Sequence, residues 1–183
     1  MFLVSQNLSR YMQFSDDTVM RINLAWVDNI ESLQKLIEQY ENDIFLDFPI
    51  GRSKPPNNIH NFNNIKQIIE KHKNIKYLAI SNVENPNDIL EFINQFNDNI
   101  SIVPKIESRD GINNIDEICK VLPEPKHVML DHDDLFSDLI KKNVNPSDFF
   151  SYIEKLDDYC NNNSINLLRT RGVIFSDKDS YNF

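Results

Sequence analysis

Short apolar runs alternate with longer amphipathic segments along most of the 183-residue chain. Runs of about four to eight apolar residues between polar ones are typical of strands buried on both faces of a parallel sheet. The pattern predicts strands at residues 2–5, 19–25, 44–48, 77–81, 100–107, 127–131 and 165–169.

Between these strands, apolar residues recur at three- and four-residue steps, as on one face of an amphipathic helix. The predicted helices are marked by residues 30–40, 65–69, 89–96, 115–122 and 149–159. Asn29 caps the first, and Asn145 followed by Pro146 begins the last, because asparagine suits the capping position and proline the first helical one. Alternating strands and helices predict right-handed crossovers and a parallel sheet.

A doubly wound sheet and a (β/α) barrel both fit this alternation. Seven predicted strands are one short of a closed eight-stranded barrel, which usually needs at least ~200 residues. We predict an α/β fold with a short, incomplete TIM-type barrel of seven to eight parallel strands, in one domain spanning residues 1–183. The tail at residues 172–183 is too short for another unit, so it supplies a short final strand or leaves an edge open. Open edges invite pairing, and a homodimer is one way to cover this edge.

The composition excludes several classes of protein. The chain has 28 acidic and 19 basic residues and a net charge of −9, which argues against binding nucleic acid because such proteins need basic residues to displace counterions. No apolar run approaches the ~18 residues of a membrane span, and the start lacks the basic region of a signal peptide. We therefore expect a cytoplasmic protein. Its three glycines form neither a GxGxxG motif nor a P-loop, and Cys119 and Cys160 are expected to be reduced, semi-buried thiols.

Charged and polar residues cluster where the predicted strands end, which is where parallel α/β enzymes carry their active residues. They are Arg21, Asn23, Asp47, Lys105, Glu107, Asp131 to Asp134 and Arg169 to Arg171. Any one of them could mark a strand emerging into solvent. Lys105 and Glu107 argue otherwise, because they flank Ile106 in an apolar strand and such residues are almost never buried unless paired. Glu107 with an aspartate of strand six, beside Lys and Arg, is suited to a Mg²⁺-bound oxyacid.

Residues 103–118 read V-P-K-I-E-S-R-D-G-I-N-N-I-D-E-I and closely resemble the pyruvate kinase segment K-I-E-N-x-E-G-(V/I)-x-N-x-D-E-I. Further segments resemble strands of that family in the same order. They are residues 20–26 (M-R-I-N-L-A-W against A-R-L-N-F-S-H), 45–51 (F-L-D-F-P-I-G against L-L-D-T-K-G-P), 79–88 (A-I-S-N-V with a later Asp against A-S-F-V-R-x-x-x-D-V), 130–135 (L-D-H-D-D-L against A-R-G-D-L-G) and 168–171 (against the A-T-Q strand). The resemblance covers nearly the whole chain and implies a phosphoenolpyruvate/pyruvate-type TIM barrel.

The resemblance also implies roles for individual residues. Lys105 is similar to the family's lysine that contacts the transferring phosphoryl group, and Thr170 lies near the place of its active-site threonine. Arg21 matches a phosphate contact. Glu107 and Asp134 match ligands of the divalent metal, which implies Mg²⁺ or Mn²⁺ together with a small carboxylate or phosphate ligand.

Among the other positions, some match the family pattern and some differ from it. Asn23 and Asp47 match monovalent-cation ligands, and Arg52, in the loop after strand three, is expected to bind the anionic substrate with Arg21 and Lys105. Ala25 and Phe48 replace two ligands of the potassium site, which argues against K⁺.

Three hypotheses follow from different classes of protein. The first is a minimal pyruvate-kinase-like enzyme that acts on a pyruvate- or phosphoenolpyruvate-like substrate as a kinase (a transferase) or a lyase. The second is a pseudoenzyme that serves as a binding or regulatory module, and the third is an unrelated α/β protein. The family's lid of roughly a hundred residues is missing between strands three and four, which argues against ATP-forming kinase activity because the lid closes over the nucleotide.

Overall fold

A computed structural model describes residues 3–5, 18–51, 56, 59–96 and 99–169 of the chain. Its strands are β1 (Leu3–Ser5), β2 (Val19–Asn23), β3 (Ile44–Phe48), β4 (Ile75–Ile80), β5 (Ser101–Ile106), β6 (His127–Leu130) and β7 (Asn166–Arg169). The seven strands form one sheet in sequence order, and each pairs with the next in parallel. This order never reverses, so the sheet lacks the switch point of a doubly wound fold and curls as a half-barrel. The predicted α/β class and parallel sheet are confirmed at this level.

The helices are α1 (Ile30–Ile37), α2 (Phe62–Lys71), α3 (Asn87–Phe96), α4 (Arg109–Asn113), α5 (Ile115–Lys120), α6 (His132–Lys141) and α7 (Phe149–Asn162). As predicted, Asn29 caps α1, and its side chain accepts a hydrogen bond from the Ser32 N–H at 2.8 Å. The last helix differs from the prediction, because Asn145 begins a 3₁₀ turn over Pro146–Asp148 and α7 starts only after it.

Helix α6 is absent from the sequence prediction, which treats residues 131–134 as the charged end of a strand. Instead, the strand ends at Leu130, and the Asp131 side chain accepts a hydrogen bond from the Asp134 N–H at 3.3 Å to cap α6. Leu135 and Leu139 then bury one face of the helix. The charged residues after β6 therefore begin a helix whose N-terminus lies at the end of the strand.

The two faces of the sheet have different roles. All the helices except the short α4 contribute two or more buried residues to a core on one face, while α4 adds Ile112. The other, inner face carries a smaller apolar layer made by Leu3, Val19, Phe45, Ala79, Val103, Met129 and Leu168. Two residues further along three strands, the inner-facing positions become Arg21, Asp47 and Lys105, because side chains alternate across a strand. This alternation places a charged layer above an apolar one at the C-terminal ends of the strands.

Some predictions fall outside the described residues. They include the final strand expected in the tail at residues 172–183 and the positions of Arg52 and Thr170. Within the described residues, β1 and β7 each pair with one neighbouring strand, and the homodimer across this edge stays a prediction. None of the helices in the described ranges combines the length and the apolar character needed to cross a bilayer.

Candidate functional site

Lys105 is buried on the inner face of β5, and its ammonium contacts three oxygen-bearing side chains. The Nζ atom lies 2.8 Å from Glu107 Oε1, 3.3 Å from Asp47 Oδ1 and 3.3 Å from Ser81 Oγ. Burial alone would lower the pKa of Lys105, but the two carboxylates outweigh burial and raise it above its ordinary value. Lys105 is therefore a fixed cation and is not suited to act as a free amine.

Asp47 on β3 joins Lys105 to Arg21 on β2. Its side chain is 1% exposed, and Arg21 Nη2 donates to Asp47 Oδ2 at 2.5 Å. Burial would raise the pKa of Asp47, but the neighbouring Lys105 and Arg21 hold it below its ordinary value. The Nε–H of Arg21 is buried without a hydrogen-bond acceptor among the described residues. Asp47 thus positions two cations at the strand ends.

Glu107 is held through both of its carboxylate oxygens. Oε1 faces Lys105, and Oε2 accepts a hydrogen bond from the Asn82 N–H at 2.7 Å. Asn82 has a φ of 55°, in the left-handed region that asparagine tolerates better than most residues, and its side chain donates to the Ile50 carbonyl at 2.7 Å. Burial raises the pKa of Glu107, and Lys105 with the Asn82 N–H offsets only part of this effect. The loop after β4 therefore fixes the direction of the Glu107 carboxylate.

Three carboxylates meet where β5 and β6 end. Glu107, Asp131 and Asp134 each place one oxygen within 4.8 Å of the others. The first two lie side by side because Ile106 pairs with Leu130 across the parallel strands, and Asp134 follows in the first turn of α6. We call these three residues the acidic trio. Carboxylate oxygens are the donors that hard divalent cations such as Mg²⁺ prefer, so the donor set fits such an ion.

A cavity of about 190 Å³ opens at this end of the sheet. Its lining includes Arg21, Asn23, Lys105 and the acidic trio, together with Asp138 and Lys141 of α6. A volume of this size is below the ~300–1,000 Å³ of pockets for drug-sized ligands. The cavity therefore suits a small, polar ligand.

The other residues that the sequence places at strand ends or in the site lie in different surroundings. Asn23 lines the cavity, but its side-chain oxygen accepts a hydrogen bond from the Ala25 N–H at 3.0 Å and is not part of the acidic trio. Arg169 lies on the helix side of β7, where Nη2 is 2.5 Å from Asp157 Oδ1 of α7. Arg169 thus ends β7 as the sequence predicts, but it pairs with α7 and is not among the residues that line the cavity. Thr170 and Arg52 lie outside the described residues.

Two residues that the structure brings to the site have no specific role in the sequence-based prediction, although Asp131 is named there among the charged strand ends. Asp131 belongs to the acidic trio, and the signal for it is an aspartate at a capping position followed by acidic residues and a Leu135/Leu139 spacing. Asn82 orients Glu107 through its main chain, a role for which the sequence carries no signal.

Comparisons with known proteins give a local and a global likeness. The chain is 42% identical over 52 residues to pyruvate kinases from Staphylococcus aureus strains MRSA252 and USA300. The match covers 27% of this chain and 9% of those relatives, so less than a tenth of their length is represented.

No family model matches the chain. Among solved structures, RipC from Yersinia pestis aligns with a TM-score of 0.61 and 18% identity over 88% of this chain and 72% of RipC. At that identity the likeness concerns the fold alone. The chain therefore combines an α/β half-barrel with a weak, local similarity to pyruvate kinase.

Proposed function

We propose that this protein is a TIM-type barrel enzyme that binds a pyruvate-like 2-oxo acid, or the related enol phosphate phosphoenolpyruvate, through a divalent metal ion and performs lyase chemistry on the 2-oxo acid. The observation that carries the proposal is the acidic trio, with its oxygens within 4.8 Å of one another beside the buried Lys105. Carboxylates hold the ion and cations hold the oxyacid, which is the division of charge that this ligand class requires.

Glu107, Asp131 and Asp134 would hold Mg²⁺ or Mn²⁺. When bound, such an ion acts as a Lewis acid that polarises a carbonyl of the ligand. Asn82 keeps Glu107 directed toward the site through its main-chain N–H, and Asp131 is held by capping α6. The donor atoms are thus oriented before a ligand arrives, which lowers the reorganisation that binding requires.

Lys105 and Arg21 would bind the anionic part of the ligand. The raised pKa of Lys105 keeps its ammonium charged, so this residue supplies electrostatic attraction and not a Schiff base. The buried Nε–H of Arg21 is a further donor without an acceptor among the described residues. Asp47 forms ion pairs with both cations, so Arg21 and Lys105 supply the positive charge that a monovalent ion would supply beside this carboxylate.

Lyase chemistry is favoured over phosphoryl transfer from a nucleotide by the connection between β3 and β4. The connection is residues 49–74, a stretch far shorter than a separate lid domain, and the part of it that the structure describes carries α2. A lid that excludes water is part of how many phosphotransferases protect the reaction. A lyase acting on a small 2-oxo acid makes no comparable demand for a nucleotide-covering domain.

A second candidate is a binding module without turnover. It is favoured by the direct contact between Lys105 Nζ and Glu107 Oε1, which occupies an oxygen that a metal ion would use. In a pseudoenzyme this ion pair would replace the metal and stabilise the strand ends.

Two measurements on the full chain separate these candidates. Isothermal titration with Mn²⁺ in the presence of oxalate tests metal-dependent binding, and Asp131→Asn is the matched variant because asparagine retains the cap while losing the charge. Exchange of the pyruvate methyl protons with D₂O, followed by NMR, tests whether the bound acid is activated. Binding with exchange supports the enzyme, and binding without exchange supports the module. Absence of oxalate binding in the wild type overturns the metal proposal.

A further inference from the structure

Helix α6 presents a polar stripe to the cavity. Asp134, Ser137, Asp138 and Lys141 all line it, and their spacing of three, four and seven residues places them on one face of the helix. The stripe begins at the acidic trio and ends at Lys141, about 10 Å further along the helix at ~1.5 Å per residue. One wall of the cavity therefore runs from a carboxylate cluster to an ammonium group.

Lys141 differs from the neighbouring Lys142 in its contacts. Lys142 Nζ lies 2.9 Å from Asp110 Oδ2, 3.1 Å from Asp138 Oδ1 and 3.8 Å from Glu84 Oε1. Lys141 is exposed, and no residue in the described ranges forms an ion pair with it. Lys142 thus neutralises part of the negative charge of these three acids. Lys141 stays on the cavity wall as a cation without such an ion pair to a described residue.

We propose that Lys141 binds a second anionic group of the ligand, so that the substrate class is a 2-oxo dicarboxylic acid and not a 2-oxo monocarboxylic acid. This inference rests on the proposed function, which anchors the 2-oxo acid end of the ligand at the acidic trio. It deepens that proposal by assigning specificity to the far end of the cavity.

The dimensions of the helix agree with such a ligand. A helical side chain leans toward the helix N-terminus and covers the turn before its own Cα, which is about 5 Å of the axis. The Asp134 side chain leans the same way but is shorter, so its carboxylate and the Lys141 ammonium are separated by less than the ~10 Å between their Cα levels. The two carboxylate carbons of a five-carbon diacid are joined by four C–C bonds of ~1.5 Å and lie roughly 5 Å apart in an extended chain, which fits within that spacing.

The test compares two ligands of equal chain length, 2-oxopentanedioate and 2-oxopentanoate, by isothermal titration with Mn²⁺ and the full chain. Oxalate serves as a third ligand that fills the metal end only. The variants are Lys141→Gln, Lys141→Arg and the control Lys120→Gln. Lys120 also lies in the last turn of a helix, α5, is not among the residues lining this cavity, and loses the same charge.

We expect the wild type to bind 2-oxopentanedioate up to about fivefold more tightly than 2-oxopentanoate, as for one exposed ion pair. Lys141→Gln removes this preference without changing oxalate affinity, whereas Lys141→Arg and Lys120→Gln keep it. High salt reduces it, because screening weakens an exposed pair. Equal affinity for the two acids, or a preference that survives in Lys141→Gln, overturns the role of Lys141 and leaves the metal site standing. Failure of all three ligands, oxalate included, overturns the proposed function and this inference with it.

Discussion

The ammonium of Lys105 lies 2.8 Å from the Glu107 carboxylate, two residues further along the same face of the chain. Both residues are almost fully buried, with Lys105 6% and Glu107 4% exposed. Asp47 approaches the same ammonium from β3, so one cation is shared by two acids from strands on either side of β4. The stability of the strand ends and the properties of the cavity therefore depend on the same charges.

Replacing Lys105 by methionine is expected to destabilise the protein strongly. Asp47 would keep only Arg21 and Glu107 only the Asn82 N–H, and breaking a buried ion pair by removing one partner typically costs about 3–5 kcal/mol. Urea denaturation of both proteins measures the change in the free energy of unfolding. Lys35→Met is the control, because its pair with Glu31 is exposed and such pairs contribute ~1 kcal/mol or less. Equal losses in the two variants would show that Lys105 is not a buried counter-ion.

The pKa of Asp47 predicts a loss of stability in acid. Its folded-state pKa lies below the ordinary value of 3.8, so the unfolded chain binds the proton more tightly. The contribution of Asp47 is therefore fully present above about pH 4 and is lost as the pH falls through the folded value. We expect the free energy of unfolding of Asp47→Asn to depend less on pH below that point than that of the wild type. Asp28→Asn, at an exposed position, is the control, and parallel curves for Asp47→Asn and the wild type would contradict the prediction.

Gly111→Ala is expected to disturb both the fold and the site. A Cβ at this position would lie 2.6 Å from the Val83 carbonyl oxygen, so the backbone must move. Overpacking of this kind typically costs about 1–3 kcal/mol. Val83 follows Asn82, whose N–H orients Glu107, so the variant should also weaken binding of Mn²⁺ with oxalate. Asn113→Ala on the exposed side of α4 is the control, and unchanged melting and binding in Gly111→Ala would refute the close approach.

The fold was predictable to the extent that its signals are local. Apolar runs such as residues 44–48 mark buried strands, and the two-residue spacing of Lys105 and Glu107 places them on one side. The partners of Lys105 were not predictable in this way, because its contact with Asp47 depends on β3, β4 and β5 being neighbours in space. The alternation of strands and helices leaves that order open between singly and doubly wound sheets.

Helix α6 shows a different limit. As the residue after the apolar run of β6, Asp131 looks like the polar end of a strand. The four-residue spacing of Leu135 and Leu139 instead predicts a helix for which Asp131 is the N-cap. The choice decides whether Asp131 and Lys141 belong to the site. The Leu135/Leu139 spacing is a local signal for the helix, but the local pattern is compatible with both interpretations, and the packing of α6 against the half-barrel decides between them.

The two cysteines are expected to be unreactive in the folded protein. Burial raises the pKa of the Cys119 thiol and of the Cys160 thiol to about 12 each, and the residues are 1% and 0% exposed. The thiolate is the reactive form, so a thiol reagent such as Ellman's reagent should modify neither residue in native buffer and both in urea. Rapid native labelling would show that α5 and α7 open far more readily than their packing indicates.

Metal binding should depend on pH through Glu107. Burial raises its pKa above the ordinary 4.5, so the folded protein retains this proton to a higher pH than a free glutamate does, and a metal ion must displace the proton where it is present. The affinity for Mn²⁺ with oxalate should therefore rise as the pH increases through the raised pKa of Glu107, with proton release that declines once Glu107 is ionised in the free protein. Glu107→Gln removes the ionisable group and one of three anionic ligands, so we expect it to abolish metal-dependent binding. Because the amide is close to the carboxyl group in size and Lys105 keeps Asp47 as a buried counter-ion, the variant should still fold. Glu117→Gln, an exposed change on α5, should titrate like the wild type. Titration calorimetry in two buffers of different ionisation enthalpy measures both affinity and proton release. Equal binding by Glu107→Gln and the wild type would remove Glu107 from the metal site.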